Sequence, residues 1–326
     1  MSPRRRALVA ACAALLATGA RAQPRVARIG YLSTRASHSS IDDAFIAGLR
    51  ELGREVGRDV VIEYRWAGND MARLPRLAED LVRLDVDVIV TATTAGTRAA
   101  MQATRTIPIV MAAAADPVAA GLVASLARPG GNVTGISLRT TDIASKRLQI
   151  ARELVPGATR VALLAESVAG PQQGTTALLV AETAGAARAM GAELIVREVA
   201  SAGALAEAFA SFRRERAQAL IVQVSPLLVE HRARVAELAA QSRLPAIYEA
   251  RNFVEAGGLV AYGPDLRDGY RRAAAYVDRI LKGSKPGDLP VEQPDRFALV
   301  INLKAAQALG LAIPASLRLQ ADELVE

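Results

Sequence analysis

The sequence predicts an α/β protein of two lobes, each built on a doubly wound parallel sheet, and three observations lead there. Short apolar runs alternate with helical patterns along the chain. The alternation breaks at the dense turn Arg128-Pro129-Gly130-Gly131-Asn132 and then begins again. At 326 residues the chain is also longer than one hydrophobic core usually covers. Strand alternating with helix at this spacing implies parallel strands joined by right-handed crossovers.

Each element has its own signal. Arg28–Leu32 is a short apolar strand that runs into a polar loop, Ser33 to Ser40. Phe45, Leu49 and Leu52 recur at spacings of four and three, which predicts a helix over Ile41–Leu52. Asp42 and Asp43 fall in its first turn, where the helix dipole favours negative charge. Val60–Tyr64 alternates as a strand does, and Met71–Leu84 reads as helix. Val86–Val90 and Ile107–Met111 read as buried strands, with a helix from Ala95 to Thr104 between them. After the break the predicted strands are Val133–Ser137, Val161–Ala165, Glu193–Val199, Ala219–Val224, Pro245–Tyr248 and Leu259–Tyr262. The helices between them fall at Ile143–Leu154, Gly174–Met190, Leu205–Arg216 and His231–Ser242. Tyr270–Lys282 is a further helix, followed by a Gly/Pro-rich link from Gly283 to Pro294. Phe297–Ile301 is the last predicted strand and Leu303–Leu309 the last helix, closed by Gly310.

The first 22 residues read as a secretory signal peptide. Arg4-Arg5-Arg6 precedes the apolar run Ala7–Ala17, and Ala20-Arg21-Ala22 is a small-x-small cleavage site. The run is shorter than the ~20 residues that span a bilayer. A twin-arginine signal lacks its flanking pattern here, and cleavage before Cys12 would strand the apolar stretch, so a cut after Ala22 is preferred. The expected protein is periplasmic, with 304 residues left after the 22 of the leader. It then keeps no cysteine, which excludes a disulfide, a thiol nucleophile and a thiolate metal site.

Charge and composition exclude more. Four of the 40 basic residues and none of the 33 acids belong to the leader, so the formal charge falls from +7 to +3. The remaining basic residues are mixed with acids, as in Arg213-Arg214-Glu215-Arg216, and read as solvated helix faces rather than a nucleic-acid patch. Aromatic residues make up 4% of the chain, too few for base-stacking platforms. No phosphate loop, no G-x-G-x-x-G after a strand and no G-x-S-x-G elbow is present. The two histidines, His38 and His231, stand alone, so no metal site, no cofactor and no catalytic set is expected. Tyr64 and Trp66 flank a strand end, where packing is the expected role.

In open parallel sheets ligands bind beyond the carboxyl ends of the strands. The loops expected there are Ser33–Ser40, Thr91–Thr97, Ala113–Pro117, Glu166–Gly174, Ser225–Pro226 and Tyr248–Asn252. Ser33, Thr34 and His38 lie in the first. Thr93, Thr94 and Thr97 enter a helix, where hydroxyls beside exposed backbone N–H groups suit a carboxylate. One of them serving as an ordinary N-cap is the plainer alternative. Asp116 either caps a helix or takes a ligand's ammonium group. Ser225 and Tyr248 end strands of the second lobe and either touch ligand or pack the hinge.

Several longer strings carry a resemblance. ARPGGNVTG (Ala127–Gly135), FVEAGGLVAYGP (Phe253–Pro264), YVDRILKG (Tyr276–Gly283), PVEQP (Pro290–Pro294) and INLKAAQALGLAIP (Ile301–Pro314) stand in order, with GLRELG at Gly48–Gly53 and EYRWA at Glu63–Ala67. Over residues 26–326 the chain resembles the substrate-binding proteins of bacterial ABC importers, the family that includes the tryptophan-binding TrpX-like proteins. The resemblance implies a type I periplasmic-binding fold, with two Rossmann-like lobes, three hinge crossings and closure on a small solute. The crossings are expected near Asn132–Leu138, Gly257–Tyr262 and Leu289–Phe297. Residues 23–135 with 262–288 would form lobe one, and 136–261 with 289–326 lobe two. The resemblance implies a monomer that hands its solute, an amino acid or other carboxylate, to a membrane permease driven by a cytoplasmic ATPase. A ligand-sensing module for a membrane receptor, or an enzyme on the same scaffold, is the alternative. Members often carry Gly-Thr after the strand VDVIV, whereas Thr93-Thr94 stands here, so tryptophan itself does not carry over.

Overall fold

The computed structural model describes residues 25–138, 143–167, 173–294 and 297–326. The expected leader over residues 1–22 and residues 168–172 of the fourth expected loop lie outside the described residues. Strands β1 (Ala27–Ser33), β2 (Val60–Trp66), β3 (Val88–Thr91), β4 (Ile109–Ala114) and β5 (Val133–Ser137) form one sheet in the order β2-β1-β3-β4-β5. Every pairing in it is parallel. The connecting helices are α1 (Ser40–Glu51), α2 (Leu74–Arg83) and α3 (Thr94–Ala103). On one face of the sheet Ile29, Tyr31, Val88 and Val90 pack with Phe45 and Leu49 of α1. On the other, Leu32, Ile89 and Met111 pack with Ala78 and Leu81 of α2 and Ala99 of α3. Neighbouring strand residues point to opposite faces, so strands covered on both sides read as unbroken apolar runs.

The second half repeats this plan. Its elements are α4 (Ile143–Leu154), β6 (Arg160–Glu166), α5 (Gln173–Ala189), β7 (Glu193–Val199), α6 (Leu205–Arg214), β8 (Ala219–Val222), α7 (Pro226–Glu230), α8 (Arg232–Gln241), β9 (Ala246–Tyr248), α9 (Asn252–Glu255) and β10 (Val260–Pro264). Then follow α10 (Leu266–Leu281), β11 (Phe297–Asn302), α11 (Leu303–Leu309), α12 (Ala315–Gln320) and β12 (Glu323–Val325). The second sheet runs β12-β11-β10-β9-β8-β6-β7. Its run from the β7 edge, β7-β6-β8-β9-β10, is the counterpart of β2-β1-β3-β4-β5. Phe209 and Phe212 of α6 and Val235 of α8 cover one face, and Ile150 of α4 with Leu317 of α12 the other.

Two features of the second sheet depart from the sequence reading, and the short helices α7, α9 and α12 were not foreseen. β11 is antiparallel to β10, because the chain returns to this sheet from the other lobe rather than through a covering helix. β12, not foreseen, pairs parallel with β11. Three residues after a short helix carry no periodicity, and only the exposed edge of β11 makes them a strand.

The chain changes lobe after β5, between β10 and α10, and again before β11. The sheets set these crossings later than expected: residues 136–137 complete β5 in the first sheet, and residues 262–264 complete β10 in the second. Residues 289–292, expected with lobe two, follow the first sheet. There Val291 N–H donates to Leu126 O (2.7 Å), Glu292 N–H to Gly135 O (3.0 Å) and Ser137 N–H to Glu292 O (2.8 Å). Helix α10 packs on the first sheet, where Ala273, Tyr276 and Val277 join its core. Its contact with α1 is close, since a Cβ on Gly48 would lie 2.6 Å from Arg271 O. The Arg54 Nε–Asp278 Oδ1 pair (2.7 Å) ties the end of α1 to α10.

Gly135 closes the ARPGGNVTG string with φ +128°, and a Cβ there would stand 2.2 Å from Met111 O. Gly135→Ala should cost about 3 kcal/mol or more from combined strain and overlap. Urea denaturation checks this, with the midpoint falling at little change in slope. At Asp278, burial alone would raise the carboxyl, but hydrogen bonds from Lys282 and Arg54 outweigh it and hold the group below its usual range. A depressed carboxyl stabilises above its unfolded value, and that contribution is lost as pH falls through the folded value. Asp278→Asn should therefore lower stability by a constant amount at neutral pH, with the gap to the parent closing below about pH 4.

Candidate functional site: the interlobe cleft

The carboxyl ends of both sheets open on a cavity of about 680 Å³ between the lobes. This volume lies within the ~300–1,000 Å³ typical of small-molecule sites. Thr34, His38, Thr93, Thr94 and Ser225 line it, from both lobes. Thr93 is the N-cap of α3, and its Oγ1 accepts from Gly96 N–H (3.2 Å). Ser225 is the N-cap of α7 at the matching place in the other lobe, with Oγ accepting from Leu228 N–H (3.3 Å). Thr94 Oγ1 accepts from Ala115 N–H (3.2 Å) and so fixes the loop after β4. The Thr94 and Ala95 amides in the first turn of α3 line the cleft with no acceptor among the described residues. His38 Nε2 lies 2.8 Å from Asp43 Oδ1, and the ring stands edge-on to Tyr64 and Trp66.

The other expected residues do not line the cleft. Ser33 is fully buried, and its Oγ accepts from Arg35 N–H (3.2 Å). Thr97 is turned back into its own helix: Oγ1 donates to Thr93 O (2.9 Å) and meets Thr91 Oγ1 at 2.7 Å, the usual habit of a hydroxyl within a helix. Asp116 neither caps a helix nor lines the cleft: its Oδ1 accepts from Val118 and Ala119 N–H at 3.1 and 3.0 Å and holds the turn after β4. Tyr248 is fully buried and stacks on Phe253 at 4.9 Å, so it packs the lobe. Tyr64 and Trp66 stack on each other at 5.4 Å and pack against Tyr31, as their strand position suggested.

Several wall residues escaped the sequence reading. Asp42, read as a dipole partner, is a buried hub. Its Oδ1 accepts from Tyr31 Oη and Arg35 Nη2, and its Oδ2 from Ser39 N–H (2.7 Å) and Ser39 Oγ (3.0 Å). Burial, then the neighbouring Tyr270 and Asp42, hold the Tyr31 hydroxyl well above its ordinary range, so it stays a donor. Arg35, thus braced, lines the cleft. Across from it, Glu166 ends β6 and accepts from Leu227 N–H (3.2 Å) in the first turn of α7. Asn69 donates to Glu230 from the opposite lobe, a direct link between the two walls. A charged residue at a strand's carboxyl end was the available signal for Arg35 and Glu166. The rest depends on contacts far apart in sequence.

Glu249 belongs to the second wall and pairs with the buried Arg147 of α4, Nη1 to Oε1 at 2.5 Å. Its Oε2 accepts from Val224 N–H (2.9 Å), while Arg147 Nε donates to Tyr262 O (2.9 Å). Burial pulls the Arg147 guanidinium below its ordinary range, and the charge of Glu249 opposes that pull. Among the described residues no group of three metal-ligating side chains occurs, and no helix is long and apolar enough to cross a membrane.

This architecture is matched by known proteins. The family model described as ABC transporter substrate binding protein matches residues 30–325. The chain belongs to that family. It is 29% identical over 285 residues to a tyrosine-binding protein of Clostridioides difficile, covering 86% of this chain and 80% of that one. A conserved domain protein of Vibrio cholerae superposes with a TM-score of 0.84 at 26% identity, over 92% of this chain and all of that one, 100%. The ABC domain in complex with L-Trp from Streptococcus pneumonia gives 0.82 at 28% identity, over 92% and 99% of the two chains. Both superpositions span the two lobes, as the resemblance in the hinge and turn strings implied.

In this substrate-binding protein the Arg147–Glu249 pair supports the second wall from behind. Glu249→Ala should cost about 3–5 kcal/mol, because it leaves an uncompensated buried cation. Replacing both partners with apolar residues should cost less, and paired urea denaturation curves measure the difference.

Proposed function

We propose that this protein is the exported receptor of an ABC importer. It captures a small carboxylate, an amino acid first of all, in the interlobe cleft and delivers it as a monomer to a membrane permease driven by a cytoplasmic ATPase. The observation that carries the reading is the first turn of α3. Its Thr94 and Ala95 amides have no acceptor among the described residues, and both residues line the cleft beside Thr93. A helix N-terminus offers N–H donors and positive potential to an anion. The names of the tyrosine-binding relative and the L-Trp complex support an amino acid as ligand. The leader pattern of residues 1–22 supports export. Contacts from both lobes to one ligand would favour the closed state over the open one, since a ligand shifts a conformational equilibrium by its differential affinity.

Calorimetry of the mature protein against the twenty common L-amino acids and a set of small organic acids tests the reading. Heat from at least one carboxylate is expected, and silence from all of them would sink it. Thr93→Ala combined with Thr94→Ala should weaken carboxylate binding about tenfold or more. Unchanged affinity would leave these threonines as caps alone.

A further inference from the structure

On each side of the cleft one charged side chain is half-buried, braced by the protein and part of the cavity wall. On the first wall Arg35 follows β1. Its Nη2 is spent on Asp42, and its guanidinium lies 5.8 Å from the Trp66 ring and 6.0 Å from the Tyr270 ring. Asp42 is itself held by Tyr31 and Ser39 and sits in the first turn of α1, so its acceptor capacity is divided among four donors. The Tyr270 side chain hydrogen-bonds the guanidinium as well, and Arg35 is half-buried. Asp42 and Tyr270 thus hold the planar fork at the cavity wall that Arg35 lines. The first turn of α3 is adjacent, since Leu32 and Thr91 are register partners in neighbouring strands.

On the second wall Glu166 ends β6, the strand that holds in its sheet the place β1 holds in the first. Its Oε2 takes Leu227 N–H, while Oε1 has no donor among the described residues and is not a buried atom. The other charged residues of the second wall are either buried in a pair, as Glu249 is, or exposed to solvent, as Glu230, Arg232, Arg251, Glu255, Asp265 and Arg267 are, whereas Glu166 is half-buried. Arg251 is held by Glu255 and Glu323, Glu249 by Arg147 and, on the first wall, His38 by Asp43. Glu230 takes Asn69, and Asp265 takes Arg267 N–H. Arg232 is exposed and donates to Val229 O. The cavity wall also holds Ala92, Ala95, Ala113, Ala250 and Ala298, whose small apolar side chains leave space for an apolar substituent.

We propose that Arg35 and Glu166 are the two charge poles of the binding site, one on each lobe, and that they select a zwitterion with an apolar side group. Arg35, with the first amides of α3, takes the carboxylate, and Glu166 takes the ammonium. The ligand is then the ion that joins opposite charges across the gap, and a simple carboxylate fills only half the site. The proposal rests on the receptor reading above and deepens it. Unlike Asp116, which was the sequence candidate for the ammonium, Glu166 lines the cavity.

The test crosses ligand groups with side chains. The tightest binder among the twenty L-amino acids is compared by calorimetry with its deaminated acid and its decarboxylated amine, which for tyrosine are 3-(4-hydroxyphenyl)propionate and tyramine. On the parent protein both truncated ligands should bind at least about tenfold more weakly than the amino acid. Glu166→Gln keeps an acceptor for Leu227. It should weaken the amino acid and the amine about tenfold but leave the acid unchanged. Arg35→Gln should weaken the amino acid and the acid and leave the amine unchanged. The ligand series on the parent needs no variant to fold, so the proposal stays exposed even if Arg35→Gln does not fold. A deaminated acid that binds as tightly as the amino acid overturns the two poles while leaving the receptor reading intact. So does a Glu166→Gln loss equal for acid and amino acid. Silence from every carboxylate overturns both.

Discussion

Helix α10 is contributed by the chain between two strands of the second sheet, yet it packs on the first, and the cleft depends on that exchange. Tyr270, Ala273 and Val277 bury in the first lobe's core, Gly48 of α1 lets the two helices approach, and Arg54 pairs with Asp278. With α10 fixed there the chain must pass between lobes before it and after it, in addition to the passage after β5. Three crossings of the chain hold the lobes face to face. The return passage also explains the antiparallel pairing of β11, the exception in sheets that are otherwise parallel.

Because both lobes are wound alike, the same structural positions meet across the gap. The turn after β3 and the turn after β8 each begin a helix with a hydroxyl N-cap, Thr93 and Ser225. The ends of β1 and β6 bring Arg35 and Glu166. Repetition of backbone brings the two loops to the same cleft, but the side chains differ in place as well as charge: Glu166 is the last residue of β6, and Arg35 lies two residues past the end of β1. The buried polar groups behind them serve to hold these positions still: Asp42 with Tyr31 and Ser39 on one side, Glu249 with Arg147 on the other. A binding site gains from such bracing, since side chains already in place lose less freedom when a ligand arrives.

Much of the fold was readable in the sequence because it rests on local signals. Fully covered strands such as Val161–Ala165 read as apolar runs, and helices such as α1 read from the spacing of Phe45 and Leu49. The hinge strings were readable because backbone geometry constrains them, as at Gly135, where a side chain would meet Met111 O. Elements without periodicity were missed. α7 and α9 are about one turn long, and β12 is a strand only by virtue of its neighbour. The cleft loops were located correctly by topology, but the side chains within them were not sorted. Thr93 and Thr97 look alike in sequence, and one hydroxyl faces the cavity wall while the other bonds back to Thr93 O.

The sequence by itself determined the order of strands and helices, the break that starts the second lobe, and the family, because each follows from patterns within a few residues or from long strings held by backbone constraints. The tertiary structure alone decided which charges are buried in pairs and which stand half-buried at the cavity wall. Asp42, Arg35, Glu166 and Glu249 are ordinary surface types in the sequence. Their fates depend on partners such as Arg147, which is 102 residues from Glu249. Electrostatic pairing acts through space over a few ångströms, and only the folded chain sets those distances.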